Sequence, residues 1–240
     1  MKIVINFIVL LFLLSCEPWV ETFEDSSDLE AVMFEALEIN DSLAYDGGSV
    51  RVLTWNIRLG LARFPWKFES CGDSVIREKT MVEKSLMAIS EKLNSIDPDV
   101  VLLQEVDFLS KRSGYINQIQ FLLDNTNLNY GAYASMYKTQ FAPSDGLGMV
   151  DGGNAILSKY KLESAERIPL ALRTDQSSIE QYFYLRRNII KAKIPDLVQN
   201  GKDFYAVNIH ATAFATDNTK QKHIDKYIEV LDEINNNGDL

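Results

Sequence analysis

Val100-Val101-Leu102-Leu103 is an unbroken apolar run of strand length, and it restricts the fold more than any other stretch of the chain. A strand without a polar face has to be covered on both sides. The residues before it supply one cover. Val82, Leu86, Ile89, Leu93 and Ile96 recur in steps of three and four, so 75–96 is expected to be a helix with one buried stripe. Asp97-Pro98-Asp99 stops it. Ahead of that helix, Val50-Arg51-Val52-Leu53-Thr54-Trp55-Asn56 is rich in β-formers. Strand, loop, helix and covered strand in that order make a layered α/β domain. Both strands end on polar side chains, Asn56 in the first and Gln104-Glu105 in the second.

The N-terminus belongs to a different argument. Lys2 is followed by an apolar run over residues 3–14, broken only by Asn6. Such a run is short for a permanent membrane span and suits a signal-peptide core. It ends in Leu13-Leu14-Ser15-Cys16, which resembles the lipobox of bacterial lipoproteins. That resemblance implies a signal peptide over 1–16, lipidation of Cys16, and an exported protein held at the cell envelope, on its periplasmic face or the cell surface. An ordinary secretory peptide is the alternative. Cys71 is the one other cysteine, so no disulfide forms within the processed chain and its core alone has to stabilise it.

Charge is distributed unevenly. Residues 17–49 hold ten acidic side chains and no Lys or Arg, which leaves 24 acidic against 23 basic residues from Val50 onward. The formal −10 therefore sits in an acidic tether, and the near-neutral remainder neither demands nor excludes a nucleic-acid partner. Within the tether, Leu29, Val32, Met33, Ala36 and Leu37 share one face at helical spacing, so 28–40 is expected to be a short amphipathic helix, docked on the domain rather than on a membrane. Tyr45-Asp46-Gly47-Gly48-Ser49 marks the expected domain start.

Further on, 115–125 reads as a helix, 130–137 and 154–158 as strands around a Gly/Asp-rich loop, and 218–234 as a final helix. Stretches 187–193 and 204–210 read as paired strands turning at Asn200-Gly201. His210 ends the second of them, so Asn56, Glu105 and His210 all stand where apolar strands stop, the place where α/β proteins gather their sites. An amide and a carboxylate are hard oxygen donors suited to Mg²⁺. A histidine beside them can steady phosphoryl charge or move a proton.

Thr54-Trp55-Asn56, Leu103-Gln104-Glu105-Val106, Gly153-Asn154-Ala155-Ile156-Leu157-Ser158 and Val207-Asn208-Ile209-His210 closely resemble, in order, successive signature blocks of the endonuclease/exonuclease/phosphatase superfamily. The resemblance implies a four-layer α/β/β/α sandwich of two mixed β-sheets and Mg²⁺-dependent hydrolysis of a phosphate ester, with Mn²⁺ as an alternative ion. It implies metal ligation by Asn56 and Glu105, and phosphate contact by His210. Arg112, in Lys111-Arg112-Ser113-Gly114, is a phosphate-clamp candidate or else a solvated basic turn. Asn154 either bonds substrate or the histidine network, or caps a loop. Phe64, Trp66 and Phe68 either wall the cleft or cover the core edge.

The family's later Gly-Asp-x-Asn and Asp-His blocks do not occur, and Asp239 is not accepted as the catalytic aspartate. The resemblance thus implies the first two thirds of a domain over 50–240, incomplete at the C-terminus and inactive or nearly so alone. A phosphorylated small molecule, a phospholipid head group or a nucleic acid is the implied substrate, and a lipid-anchored monomer the implied state. A non-catalytic lipoprotein binding module is the rival from another class, and a nuclease the rival among enzymes. No more than two basic residues are adjacent anywhere after Val50, which weighs mildly against nucleic acid.

Overall fold

The structure is a computed structural model and describes residues 19–24, 30–40, 45–67, 72–142, 146, 148–199 and 201–239. The signal segment, Cys16, Cys71 and Phe68 lie outside the described residues. The strands are β1 (Val32–Glu35), β2 (Val52–Asn56), β3 (Val100–Asp107), β4 (Tyr130–Ala142), β5 (Gly148–Ser158), β6 (Ser164–Pro169), β7 (Asn188–Gln199) and β8 (Lys202–Ile209). The helices are α1 (Lys79–Ile96), α2 (Gln118–Asp124), α3 (Ser178–Tyr182) and α4 (Thr219–Asn236). A five-stranded mixed sheet runs β1-β4-β5-β3-β2, with β2 and β3 parallel, and a three-stranded antiparallel sheet runs β6-β7-β8.

The buried side chains sort into three layers of core, as a four-layer sandwich requires. Val82, Leu86 and Leu93 of α1 and Ile119 and Leu122 of α2 pack on Val101, Leu103, Ala155 and Leu157 of the larger sheet. Between the sheets, Val100, Ala132, Ala134 and Ile156 meet Ile190, Ala192, Ile194 and Ala206. Val230 and Ile234 of α4 cover Ile189 and Val207 on the far side. Val100 and Val101 thus face opposite cores, which is why the run carries no polar residue. Helix α1 stops where Asp97 turns left-handed at φ 52° ahead of Pro98.

The acidic segment is corrected. Where a helix over 28–40 was expected, Val32–Glu35 is a strand paired antiparallel with β4, Val32 against Tyr133 and Glu35 against Tyr130. The physical reason is the open edge of β4, whose unpaired main-chain groups offer more than a short isolated helix can supply for itself. The flanks are tied down as well. The Ala31 N–H donates to the Ala165 carbonyl at 3.1 Å and the Ala36 N–H to that of Asn129 at 2.8 Å. Earlier still, the Glu21 N–H bonds the Lys138 carbonyl and the Arg167 guanidinium lies 4.3 Å over the Phe23 ring. The folded unit therefore takes in residues well before 50. The Gly/Asp-rich stretch before Asn154 is corrected too, since 148–153 is already strand β5.

Candidate functional site

One end of the inter-sheet layer is polar, and side-chain alternation explains how it is built. Leu53 and Trp55 turn toward the helices, so Thr54 and Asn56 face the other sheet. On β8, Phe204 and Ala206 lie between the sheets, and the same alternation puts Asn208 and His210 on that face. β3 needs a device to do likewise. Its register shifts between Leu103 and Val106, and both of those residues are buried in the helix-facing core. Two residues instead of one stand between them, so Gln104 and Glu105 both turn to the second sheet. Glu105 accommodates the bulge at φ 55°, a left-handed conformation that costs a non-glycine residue about 1 kcal/mol or more.

The bulge brings the sequence-predicted residues together. Asn56 Nδ2 donates to Glu105 Oε1 at 2.9 Å, while the Arg58 N–H donates to Asn56 Oδ1 at 2.9 Å. His210 Nε2 lies 3.7 Å from Glu105 Oε1, and both side chains keep about a fifth of their surface, 23% and 22%. Burial, with the nearby Arg187 charge second, pushes the His210 imidazole down to about 4. The ring is neutral at pH 7, so its contact with Glu105 is a dipole beside a carboxylate and not an ion pair. His210 Nδ1 is buried and has no hydrogen-bond partner among the described residues.

Behind this trio stands an amide lattice that holds the two sheets in register. Gln104 Nε2 donates to Asn208 Oδ1 at 2.7 Å and to Thr54 Oγ1 at 3.1 Å. Asn208 Nδ2 donates across to the Leu103 carbonyl at 2.8 Å and the Ala155 carbonyl at 3.0 Å. Asn154 is fully buried within β5 and is no loop cap. Its Nδ2 reaches Asn188, on the carbonyl at 3.4 Å and Oδ1 at 3.3 Å, and its own Oδ1 is buried without a partner among the described residues.

Arg187 is the residue that sequence reasoning missed. It sits just ahead of β7, is 8% exposed, and its Nη1 donates to the His210 carbonyl at 2.9 Å. Burial pulls its guanidinium below the ordinary arginine value, while Tyr184 and then Glu105 favour its charge. Its Nε is buried with no partner among the described residues. No motif marks it, and only its place ahead of a strand paired with the His210 strand could have pointed to it.

Arg112, by contrast, is not brought to this cluster. Its Nε lies 3.0 Å from Asp107 Oδ2 and its Nη2 2.8 Å from Asp107 Oδ1, and the guanidinium stacks 5.3 Å over the Trp66 ring. In this structure its guanidinium is held in a buried ion pair, apart from the Asn56–Glu105–His210 cluster. Trp66 itself is 9% exposed and packs in the helix-side core, with Phe64 against it, so the two described aromatics of that loop cover the core and do not wall a cleft. Asp239 accepts from the Asp203 N–H at 3.3 Å, at the far end of β8 from His210 and roughly 20 Å away by strand rise.

The donor set fits a hard divalent cation that keeps most of its water. One carboxylate and one amide carbonyl suit Mg²⁺ or Mn²⁺, which bind through one or two carboxylates plus solvent and phosphate oxygens. The two side chains that would hold it already stand within hydrogen-bond distance of each other. Among the described residues no group of three or more His, Cys, Asp or Glu side chains forms an all-protein cage. No described helix is long and apolar enough to cross a membrane.

The sequence pattern of the Endonuclease/Exonuclease/phosphatase family matches residues 53–231. None of the curated proteins matches the chain. Among solved structures, an endonuclease/exonuclease/phosphatase family protein from Leptotrichia buccalis C-1013-b aligns at 15% identity and a TM-score of 0.48, over 75% of this chain and 62% of that one. An endonuclease/exonuclease/phosphatase from Beutenbergia cavernae DSM 12333 aligns at 16% identity and 0.48, over 75% and 42%. TDP2 from Caenorhabditis elegans aligns at 17% and 0.42, over 83% and 45%. The chain thus spans between 42% and 62% of the length of these three.

Proposed function

The chain belongs to the endonuclease/exonuclease/phosphatase family, and on that premise we propose that it carries the cation- and phosphate-holding part of a Mg²⁺-dependent phosphoesterase in which water attacks phosphorus in line. The single observation that carries the reading is the Glu105 bulge, a strained backbone that delivers a carboxylate to Asn56 and His210. When bound, the cation supplies Lewis-acid polarisation of a phosphoryl oxygen and relief of charge on the departing alkoxide. Glu105 provides the anionic ligand and Asn56 the neutral one. His210, neutral at pH 7, offers a ring N–H to a non-bridging oxygen without adding charge. Arg187 has a donor in reserve at Nε and supplies the positive charge that Arg112, locked on Asp107, does not. Asn154 stays one layer deeper, where it positions Asn188.

We retain Cys16 as the proposed lipid attachment point at the cell envelope, to be checked by detergent-phase partitioning of the mature protein. The phosphoesterase reading is tested by Mn²⁺ titration of the chain followed by electron paramagnetic resonance. Glu105→Gln is expected to weaken binding by about tenfold or more, since it replaces the one anionic ligand. Affinity kept within twofold would remove Glu105 from the metal site and favour the non-catalytic binding module.

A further inference from the structure

Beside the polar end of the inter-sheet layer stands an exposed ring on a rigid mount. Beyond His210 the chain passes through residues 211–218 before α4, opposite residues 170–177, which join β6 to α3. The two segments clamp each other reciprocally. The Thr174 N–H and hydroxyl donate to Asp217 Oδ2 at 2.7 and 2.6 Å, and the Thr216 N–H and hydroxyl donate to Asp175 Oδ2 at 2.8 and 2.7 Å. Asp175 also takes two bonds from Arg173, both at 2.8 Å, and Asp217 takes two from Thr219 at 3.0 and 2.7 Å. Arg173 in turn reaches the Tyr184 hydroxyl at 3.3 Å, and Tyr184 lies near enough to Arg187 to favour its charge. A hydrogen-bonded chain therefore runs from the rim to Tyr184, beside the proposed phosphate-binding arginine.

Phe214 lies inside the clamped segment and is 80% exposed. It follows His210 by four residues, so their Cα atoms are at most about 14 Å apart. The ring adds nothing to any core, yet the loop that holds it is fixed by hydrogen bonds at both ends. Ordering a contact residue in advance is what raises affinity for a ligand, because the entropy has already been spent on folding. Just past Asp175, Ile179 and Phe183 of the neighbouring segment are 75% and 49% exposed. The Asp175 and Asp217 carboxylates are engaged by their threonines and Arg173, so Phe214, Ile179 and Phe183 form an apolar patch whose neighbouring carboxylates are already hydrogen-bonded. Trp66, ten residues after Asn56, is buried and unavailable for this task.

We propose that this rim recognises an apolar, ring-bearing organic group esterified to the phosphate, with Phe214 as the specificity-determining contact. The proposal rests on the phosphoesterase reading above. It is tested by calorimetric titration of the Mg²⁺-loaded chain with inorganic phosphate and with phenyl phosphate. The wild-type chain is expected to hold phenyl phosphate about 3- to 10-fold more tightly than inorganic phosphate, the range of one aromatic contact. In Phe214→Ala that ratio should fall to near one, and in Phe214→Tyr it should be kept. A wild-type ratio near one, or a ratio unchanged in Phe214→Ala, overturns the rim proposal and leaves phosphate binding standing. Failure of both ligands to bind overturns the rim proposal and the phosphoesterase reading together.

Discussion

Each chemistry in the cleft has a twin nearby that is used differently. Glu105 and Asp107 end the same strand, Arg187 and Arg112 are both largely buried guanidinium groups, and His210 and His223 are the chain's two histidines. The twins outside the cleft are saturated. Asp107 is fully buried and accepts from Arg112 and from the Ser113 hydroxyl at 2.8 Å. His223 accepts from the Thr212 N–H at Nδ1, 3.2 Å, and sits 2.8 Å from the Ala171 carbonyl at Nε2. The cleft members keep capacity in hand: Nε on Arg187, Nδ1 on His210, and a fifth of the Glu105 side chain open. Residue type therefore says little about role here, and the state of its hydrogen-bonding says a great deal.

The largest effect that would test this division is on the saturated side. Arg112→Ala leaves the Asp107 carboxylate buried without its ion partner and is expected to cost about 3–5 kcal/mol in urea unfolding. A loss under 1 kcal/mol would mean that the pair is dispensable, and would reopen Arg112 as a phosphate ligand. Trp66→Ala should come next, at about 3 kcal/mol or more, because it removes a buried ring from the helix-side core and the surface on which Arg112 stacks. A small loss with an altered substrate preference would instead return that loop to the cleft. Glu105→Gln belongs to the other class. Its stability is expected to stay within about 1 kcal/mol of wild type, while the tenfold fall in cation affinity corresponds to about 1.4 kcal/mol. A destabilisation near that of Arg112→Ala would erase the contrast between Glu105 and Asp107.

The sequence made the saturated and open members hard to separate, for identifiable reasons. Asn56, Glu105 and His210 were legible because each ends an apolar strand. The bulge that makes Glu105 usable was not, since a register shift depends on the partner strand and leaves no mark in Leu103-Gln104-Glu105-Val106. The Arg112 ion pair was not legible because its partner lies on the strand five residues earlier, a spacing that no helix or strand period brings together. β1 was misassigned because its pairing with β4 crosses about a hundred residues of sequence, and strand propensity yields to such long-range pairing. One miss was avoidable. Ser177 and Glu180 form a capping box at the start of α3, and the Ser-x-x-Glu spacing stood in the sequence to be read.

The smallest effect sharpens the histidine pair. Burial lowers the His223 imidazole below the usual histidine value, with the opposing pull of the Ala171 carbonyl second, while Arg187 lowers it and Asp217 raises it. A group whose folded value is lowered contributes stability that is fully present above its unfolded value, near 6.5, and is lost as pH falls through the folded value. The molecular reason is plain at Nδ1. A proton there would face the Thr212 N–H that now donates to it, so the 211–218 segment would lose one of its ties to α4. Urea midpoints taken from pH 7.5 down to pH 5 should therefore fall in the wild-type chain. The slope for one histidine cannot exceed about 1.4 kcal/mol per pH unit. His223→Gln should flatten the part of that slope due to His223 and leave the part due to His210. If His223→Gln left the slope unchanged while His210→Gln abolished it, the saturated histidine would be silent and the open one would carry the whole pH response. The division between saturated and open twins would then fail for this pair.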